Sequence, residues 1–188
     1  MKIKQIKGNM YIDHKLFDPT RSKLAAAMKK GMKINLSKKD TVLYLGASHG
    51  YTPWFVSKMV GFVFAVEFSA YVVPTLMDVC RKLDNVAPIL SDANLPLSYL
   101  GRVSGVDVIY QDISQKNQVE IFLKNINLYL NNGGIGYLVV KCNSIDVSKT
   151  PYQVFTIVRR ALEKHLNILE YSSLEPYEKG HYMIKVRK

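Results

Sequence analysis

Leu43 to Thr52 reads LYLGASHGYT, with Gly46 and Gly50 directly after a strand-like run. Such a loop lets a backbone come close to a nucleotide, but Gly-x-x-x-Gly alone does not say which one. Four more residues with chemical potential, Glu67, Asp92, Asp112 and Lys141, each close an apolar run. Glu67 follows Gly46 by roughly 20 residues, the usual place for a carboxylate that accepts from two ribose hydroxyls. Phe68 beside it offers a flat face for a base. Asp92 can accept from an exocyclic amine while the N–H of Ala93 serves a ring nitrogen, which together would read adenine. Gln115 stands three residues after Asp112. Each residue also has a plainer reading: a solvated acid, a core phenylalanine, a turn-forming aspartate, or a lysine reaching water.

The loop lacks both the Gly-Lys-Ser/Thr of a P-loop and the third glycine of the dinucleotide fingerprint. No cation beside it could pair with phosphate. An adenosine site without phosphate recognition points to S-adenosyl-L-methionine (SAM). Gly46 and Ala47 are then the small residues that allow close approach to its methionine part.

The elements that must position these residues alternate. RSKLAAAMKKGM reads as a helix with Ser22 as cap and Gly31 as stop. The strands expected next are TVLYL, FVFAVEF, VAPIL, VDVIYQD and GIGYLVVK. Between them stand the helices TPWFVSKMVG, AYVVPTLMDVCRKL and QKNQVEIFLKNINLYL, the last stopped by NNGG, and TPYQVFTIVRRALEKHL comes after the fifth strand. Strand–helix alternation predicts a parallel sheet with helices on both faces. NILEYSSL and HYMIKVRK are joined by too few residues for a crossover helix, so this last pair must be antiparallel. The expected fold is therefore α/β, a mostly parallel seven-stranded sheet with one reversed strand near its edge. Residues 1–19 read as a short N-terminal β arm and 20–188 as the main domain.

Composition narrows the class further. The chain has 188 residues and 48% hydrophobic content, enough to bury a core. No run of about 18 apolar residues suggests a membrane span, and no apolar signal core follows the basic N-terminus. The expected compartment is the cytoplasm. Cys80 and Cys142 form no metal or disulfide pattern, so no metal is expected. A net charge of +11 points to a polyanion, most commonly RNA or DNA.

The segments LYLGASHGYT, AVEFS, ILSDAN, VDVIYQDISQ, VVKCNSIDVSK and LEPYEKGH, in this order and spacing, resemble fibrillarin. DPTRSKLAAA resembles the segment ahead of that family's catalytic domain. The resemblance implies a Rossmann-like methyltransferase of archaeal type, with SAM as donor and the ribose 2′-hydroxyl of rRNA, or of tRNA, as acceptor. The SAM contacts it implies fall on Tyr51 and Thr52, Glu67 and Phe68, Asp92 and Ala93, and Asp112, Ile113, Ser114 and Gln115, beside Gly46 and Ala47. A catalytic set of Lys23, Asp112, Lys141 and His181 is implied in the same way. A lysine can take the hydroxyl proton where burial and a second cation favour its uncharged form, and Lys141 with Lys23 nearby fits that role.

The family implies as partners a box C/D guide RNA with its rRNA or tRNA target, a Nop-domain scaffold protein and a kink-turn-binding ribosomal-type protein. His49 and Tyr51 are bulky where the family's loop carries small residues. Two rival readings stay open: a stand-alone SAM methyltransferase on a protein or small molecule, and a non-catalytic RNA-binding scaffold subunit.

Overall fold

The computed structural model describes residues 4–6 and 8–188; residues 1–3 and 7, part of the arm expected over 1–19, lie outside the described residues. Three short strands, β1 (Lys4–Ile6), β2 (Asn9–Ile12) and β3 (Lys15–Leu16), pair antiparallel as a small sheet of their own. Next come α1 (Lys23–Lys29), β4 (Thr41–Leu45), α2 (Tyr51–Met59), β5 (Phe62–Glu67), α3 (Val73–Cys80) and β6 (Val86–Leu90). After one 3-10 turn follow β7 (Val106–Gln111), α4 (Gln118–Tyr129), β8 (Leu130–Lys141), the short α5 (Cys142–Ile145), α6 (Pro151–Glu163), β9 (Asn167–Ser173) and β10 (His181–Arg187).

The large sheet has the order β6-β5-β4-β7-β8-β10-β9. Strands β4 to β8 pair in parallel, and β10 runs antiparallel to both β8 and β9. The expected fold class is the one observed, with the reversed strand second from the edge. Side chains alternate between two cores, as a period of two requires. Val42 and Tyr44 of β4 pack with α1 and α2, while Leu43 and Leu45 pack with α4 and α6 on the other face. Met10, Ile12 and Phe17 from the N-terminal segment join the first of these cores.

Two expectations about helix ends need correction. NNGG (131–134) does not form a separate stop: α4 ends at Tyr129 and β8 begins at Leu130. The ammonium of Lys188 caps the helix instead, donating to the carbonyls of Ile126 (3.0 Å), Asn127 (3.2 Å) and Leu130 (2.7 Å). The glycines serve the irregular start of β8, where Gly133 has φ +79°. Helix α3 is shorter than its apolar run and starts at Val73, which puts Pro74 in the first turn, where a missing N–H costs nothing.

The segment between α1 and β4 is strapped to the sheet. Lys185, buried on β10, donates to the carbonyl of Lys33 at 2.9 Å, and Tyr137 Oη accepts from Asn35 N at 2.8 Å. At the other end of α1, Ser22 caps the helix: its Oγ accepts from Ala25 N (3.3 Å) and from Thr52 Oγ1 (3.0 Å). Lys23 is thereby the first residue of a helix pinned at both ends. Ser22→Ala would leave the Ala25 N–H buried without a partner. A loss of about 1–2 kcal/mol is expected in urea unfolding followed by circular dichroism; an unchanged midpoint would contradict this role.

Candidate active site

Between β4 and β7 the strand order reverses, and at such a switch point the carboxyl ends of neighbouring strands open a crevice. Gly46 leaves β4 with φ +86° and packs so closely on β7 that an added Cβ would stand 2.4 Å from the Asp112 carbonyl. Its smallness is thus required by contact with the Asp112 backbone, and the residue also lines the cleft. Beyond it lies a cleft of about 300 Å³. The residues brought together there include Gly46, Glu67, Phe68, Asp92, Ala93, Asp112, Ile113, Ser114, Gln115 and Lys141.

One wall is built to hold a carboxylate still. Glu67 Oε1 accepts from Phe68 N (3.0 Å) and Ser69 N (2.8 Å), and its Oε2 accepts from Ser48 N (2.8 Å). Three backbone donors leave lone-pair capacity free for one more partner. Phe68 is 66% exposed, a flat apolar face at the mouth with no core duty. Asp92 spends Oδ1 on Asn94 N at 2.8 Å, a turn that leaves Oδ2 available.

The opposite wall is an ion cluster. Lys141 Nζ lies 2.7 Å from Asp112 Oδ1, yet that buried oxygen has no aligned hydrogen bond. The ammonium donates to Ser114 Oγ at 3.1 Å. Lys23 Nζ sits 3.8 Å from Asp112 Oδ2 and 3.4 Å from Glu178 Oε1. Two ammonium groups and two carboxylates therefore balance in formal charge, all four side chains being less than a fifth exposed.

Below the cluster, Gln118 is fully buried. Its Oε1 accepts from Lys141 N (3.1 Å), its Nε2 donates to Gln115 O (3.0 Å), and its own carbonyl accepts from Gln111 Nε2 (2.7 Å). One amide thus joins the Lys141 strand end to the loop that floors the cleft. Burial pushes the Cys142 thiol up to about 11, which keeps it protonated and inert beside this strand end.

Several expected residues point elsewhere. The Ala47 side chain is buried in the core. Thr52 is turned to the Ser22 cap. Tyr51 Oη donates to Leu16 O and accepts from Asp18 N, both at 3.2 Å, so its ring faces the N-terminal strands. Helix α2 aims both side chains away from the cleft, because Gly50 in the left-handed region turns the chain into the helix before them. His181 pairs with Lys141 across β8 and β10, and its Nδ1 lies 2.8 Å from the carbonyl of Lys179. The fourth ionic position beside Lys23 is held by Glu178, which the reading by residues passed over. Its only signal was its place in the distinctive LEPYEKGH. Gln118 and Ser114 as partners of Lys141 likewise needed the fold.

The fibrillarin family model matches residues 2–188. The chain belongs to the fibrillarin family. The fibrillarin-like rRNA/tRNA 2′-O-methyltransferase of Methanocaldococcus jannaschii is 42% identical over 175 residues, spanning 91% of this chain and 76% of that protein. A solved fibrillarin/Nop5p complex superposes with a TM-score of 0.90 at 37% identity, covering 99% of this chain and 93% of that one. Aeropyrum pernix fibrillarin with natively bound S-adenosyl-L-methionine gives a TM-score of 0.84 at 34% identity, covering 98% and 81%. Membership in the fibrillarin family was therefore legible from the motifs quoted above.

At Gly46 a methyl group meets both a positive φ and the Asp112 carbonyl. Gly46→Ala is expected to cost roughly 1–3 kcal/mol in chemical denaturation. It should also shift the backbone amide signals of Asp112 to Gln115; a spectrum unchanged in that segment would contradict the packing.

Proposed function

We propose that this protein transfers a methyl group from SAM to a ribose 2′-hydroxyl of RNA, as the catalytic subunit of a guide-directed box C/D particle. The observation that carries the reading is that Lys141 and Asp112 of the ion cluster, with Lys23 behind them on Asp112, line the same cleft as the tethered Glu67, Asp92 with its free oxygen and the exposed Phe68.

The residues present fit SAM. Glu67 is placed to accept from the ribose hydroxyls, Phe68 to lie on adenine, and Asp92 with the Ala93 N–H to read its polar edge. Among the described residues Lys141 is the one basic residue lining this cleft, and the residues that line it are not arranged for a polyphosphate. When bound, SAM supplies a methyl group on a cationic sulfur, and the buried, unaligned Asp112 Oδ1 offers compensating negative charge close by.

The chain's own part is positioning and proton handling. A ribose hydroxyl is a weak nucleophile, so holding it in line and at short range is the main contribution. Lys141 Nζ, fixed by Asp112, Ser114 and the Gln118 bond at its backbone, is the group placed to receive the hydroxyl proton once its own ammonium proton has passed to solvent. Lys23 holds the second Asp112 oxygen, and Glu178 holds Lys23. In this reading Tyr51, Thr52 and Ala47 shape the loop from behind, and His181 supports the Lys141 strand end.

The archaeal relative named for rRNA and tRNA methylation supports those acceptors, and the relative solved with Nop5p supports a Nop-domain scaffold as partner. The guide RNA and a kink-turn-binding ribosomal-type protein complete the particle proposed here, in the cytoplasm. The strands β1 to β3 act in it as an arm to the methyltransferase domain of 20–188.

Labelled SAM, the reconstituted particle and a guided target test the reading: label should depend on the guide and vanish when the one target ribose is 2′-deoxy. Label that ignores guide and 2′-hydroxyl would point to another acceptor. Lys141→Met should lower the single-turnover rate by at least about 100-fold while S-adenosylhomocysteine still binds; intact turnover would refute its role. Glu67→Gln brings an amide N–H against backbone donors, so binding of the same ligand should weaken at least about tenfold in calorimetry with the fold unchanged. Wild-type affinity would contradict the ribose contact.

A further inference from the structure

Strand β8 outruns its neighbour. Its pairing with β7 stops at Gln111 and Leu138, and Val139 to Lys141 run on toward the cleft. There β10 lies along one edge, with His181 opposite Lys141, and no strand lies along the other among the described residues. Backbone N–H and C=O groups on such an edge need partners, and another strand or water normally supplies them.

Here a side chain takes the place of the missing strand. Gln118 Oε1 accepts from Lys141 N at 3.1 Å, and Gln118 Nε2 makes a longer contact with Lys141 O at 3.5 Å. One amide thus meets both backbone groups of Lys141. The same Nε2 donates to Gln115 O at 3.0 Å, and Gln115 lines the donor cleft. The amide therefore sets how far the end of β8 stands from the loop after β7. Neither Gln118 nor Gln111 lines the cleft itself.

Gln118 is held in turn by Gln111, the last residue of β7, which donates from Nε2 to the Gln118 carbonyl at 2.7 Å. Both glutamines are wholly buried, and Gln111 Oε1 has no hydrogen-bond partner among the described residues. A bare buried amide oxygen costs stability that an apolar side chain of similar length would not. The Gln118 carbonyl has no need of Gln111 either, because as the first residue of α4 it is placed to accept within the helix. Stability of the fold therefore does not account for the Gln111 amide, whereas a fixed Gln118 does. We propose, resting on the methyl-transfer reading above, that Gln111 and Gln118 are positioning residues of that reaction. Gln118 gauges the spacing between Lys141 and the donor loop, and Gln111 fixes Gln118 at some expense of stability. An error of about 1 Å in such a spacing is enough to lower a rate about 100-fold.

Gln111→Met and Gln118→Met, both close to volume-conserving, test the pair in the full-length protein. Gln111→Met removes the bare oxygen together with the hold on Gln118. Its urea midpoint should equal or exceed that of the wild type. Its affinity for S-adenosylhomocysteine should stay within about threefold, while single-turnover methyl transfer in the reconstituted particle, at saturating SAM and RNA, should slow about tenfold. Hydrogen exchange at the Lys141 amide should quicken at least about tenfold, because its acceptor is no longer fixed. Gln118→Met, which removes the acceptor outright, should slow transfer about 100-fold.

Gln111→Met protein that transfers methyl groups within about twofold of the wild-type rate would overturn the proposal. So would a urea midpoint that drops along with the rate, since Gln111 would then be a part of the fold and no more. An unchanged Lys141 amide would overturn it as well. The urea and exchange readings need no turnover. Wild-type protein that binds S-adenosylhomocysteine yet methylates no RNA would therefore count against the catalytic reading, while the Lys141 amide still decides whether the two glutamines hold the strand end.

Discussion

The site depends on keeping charged lysines close to a carboxylate in a place where water is scarce. Asp112 is the hub: Lys141 approaches one of its oxygens at 2.7 Å and Lys23 the other at 3.8 Å, each side chain largely withdrawn from solvent. Removing one partner of such a group leaves the others uncompensated, at a cost of several kcal/mol in a buried setting. Four formal charges that cancel are the arrangement at rest, and an uncharged Lys141 leaves one carboxylate in excess to face the cationic sulfur of bound SAM. Glu178 is therefore as much a requirement of the cluster as the lysines, because it answers the second ammonium.

Backbone geometry makes this hub possible. Asp112 stands at the carboxyl end of β7, next to the point where β4 turns away through Gly46, and its N–H is bound to Leu45 O at 2.9 Å. Lys141 ends the next strand, β8, and Gln118 ties that end to the loop after β7 with one buried amide. Lys23 arrives from the opposite side on a short helix whose cap and following segment are both fixed. Glu67 presents its carboxylate across the cleft under three backbone donors. No reacting group rests on a free rotor, which suits chemistry dominated by alignment.

Much of this could be read without coordinates, for physical reasons. Parallel strands are buried on both faces and appear as apolar runs, so TVLYL, FVFAVEF and VDVIYQD announce themselves, and polar residues at their ends stand out. The short link before HYMIKVRK left no room for a crossover, which dictated the reversed strand. Other features had no local signature. The contact of Lys23 with Glu178 spans 155 residues. The outward turn of Tyr51 depends on a left-handed Gly50 and on backbone groups of Leu16 and Asp18. Asn131 to Gly134 read as a stop because their types favour turns, yet the C-terminal Lys188 caps α4 and frees them to begin a strand. Long-range charge pairing and the direction a helix gives its side chains were the two things the residue pattern did not hold.

The central claim is that Asp112, by holding both lysines, sets the rate of methyl transfer and not merely the stability of the fold. Single-turnover transfer in the reconstituted particle, compared between wild type and Asp112→Asn at saturating SAM and RNA, measures this directly. The account predicts a fall of at least about 100-fold in that rate with target-RNA affinity unchanged. A rate within twofold of wild type, in a folded Asp112→Asn protein that binds both ligands, would contradict it.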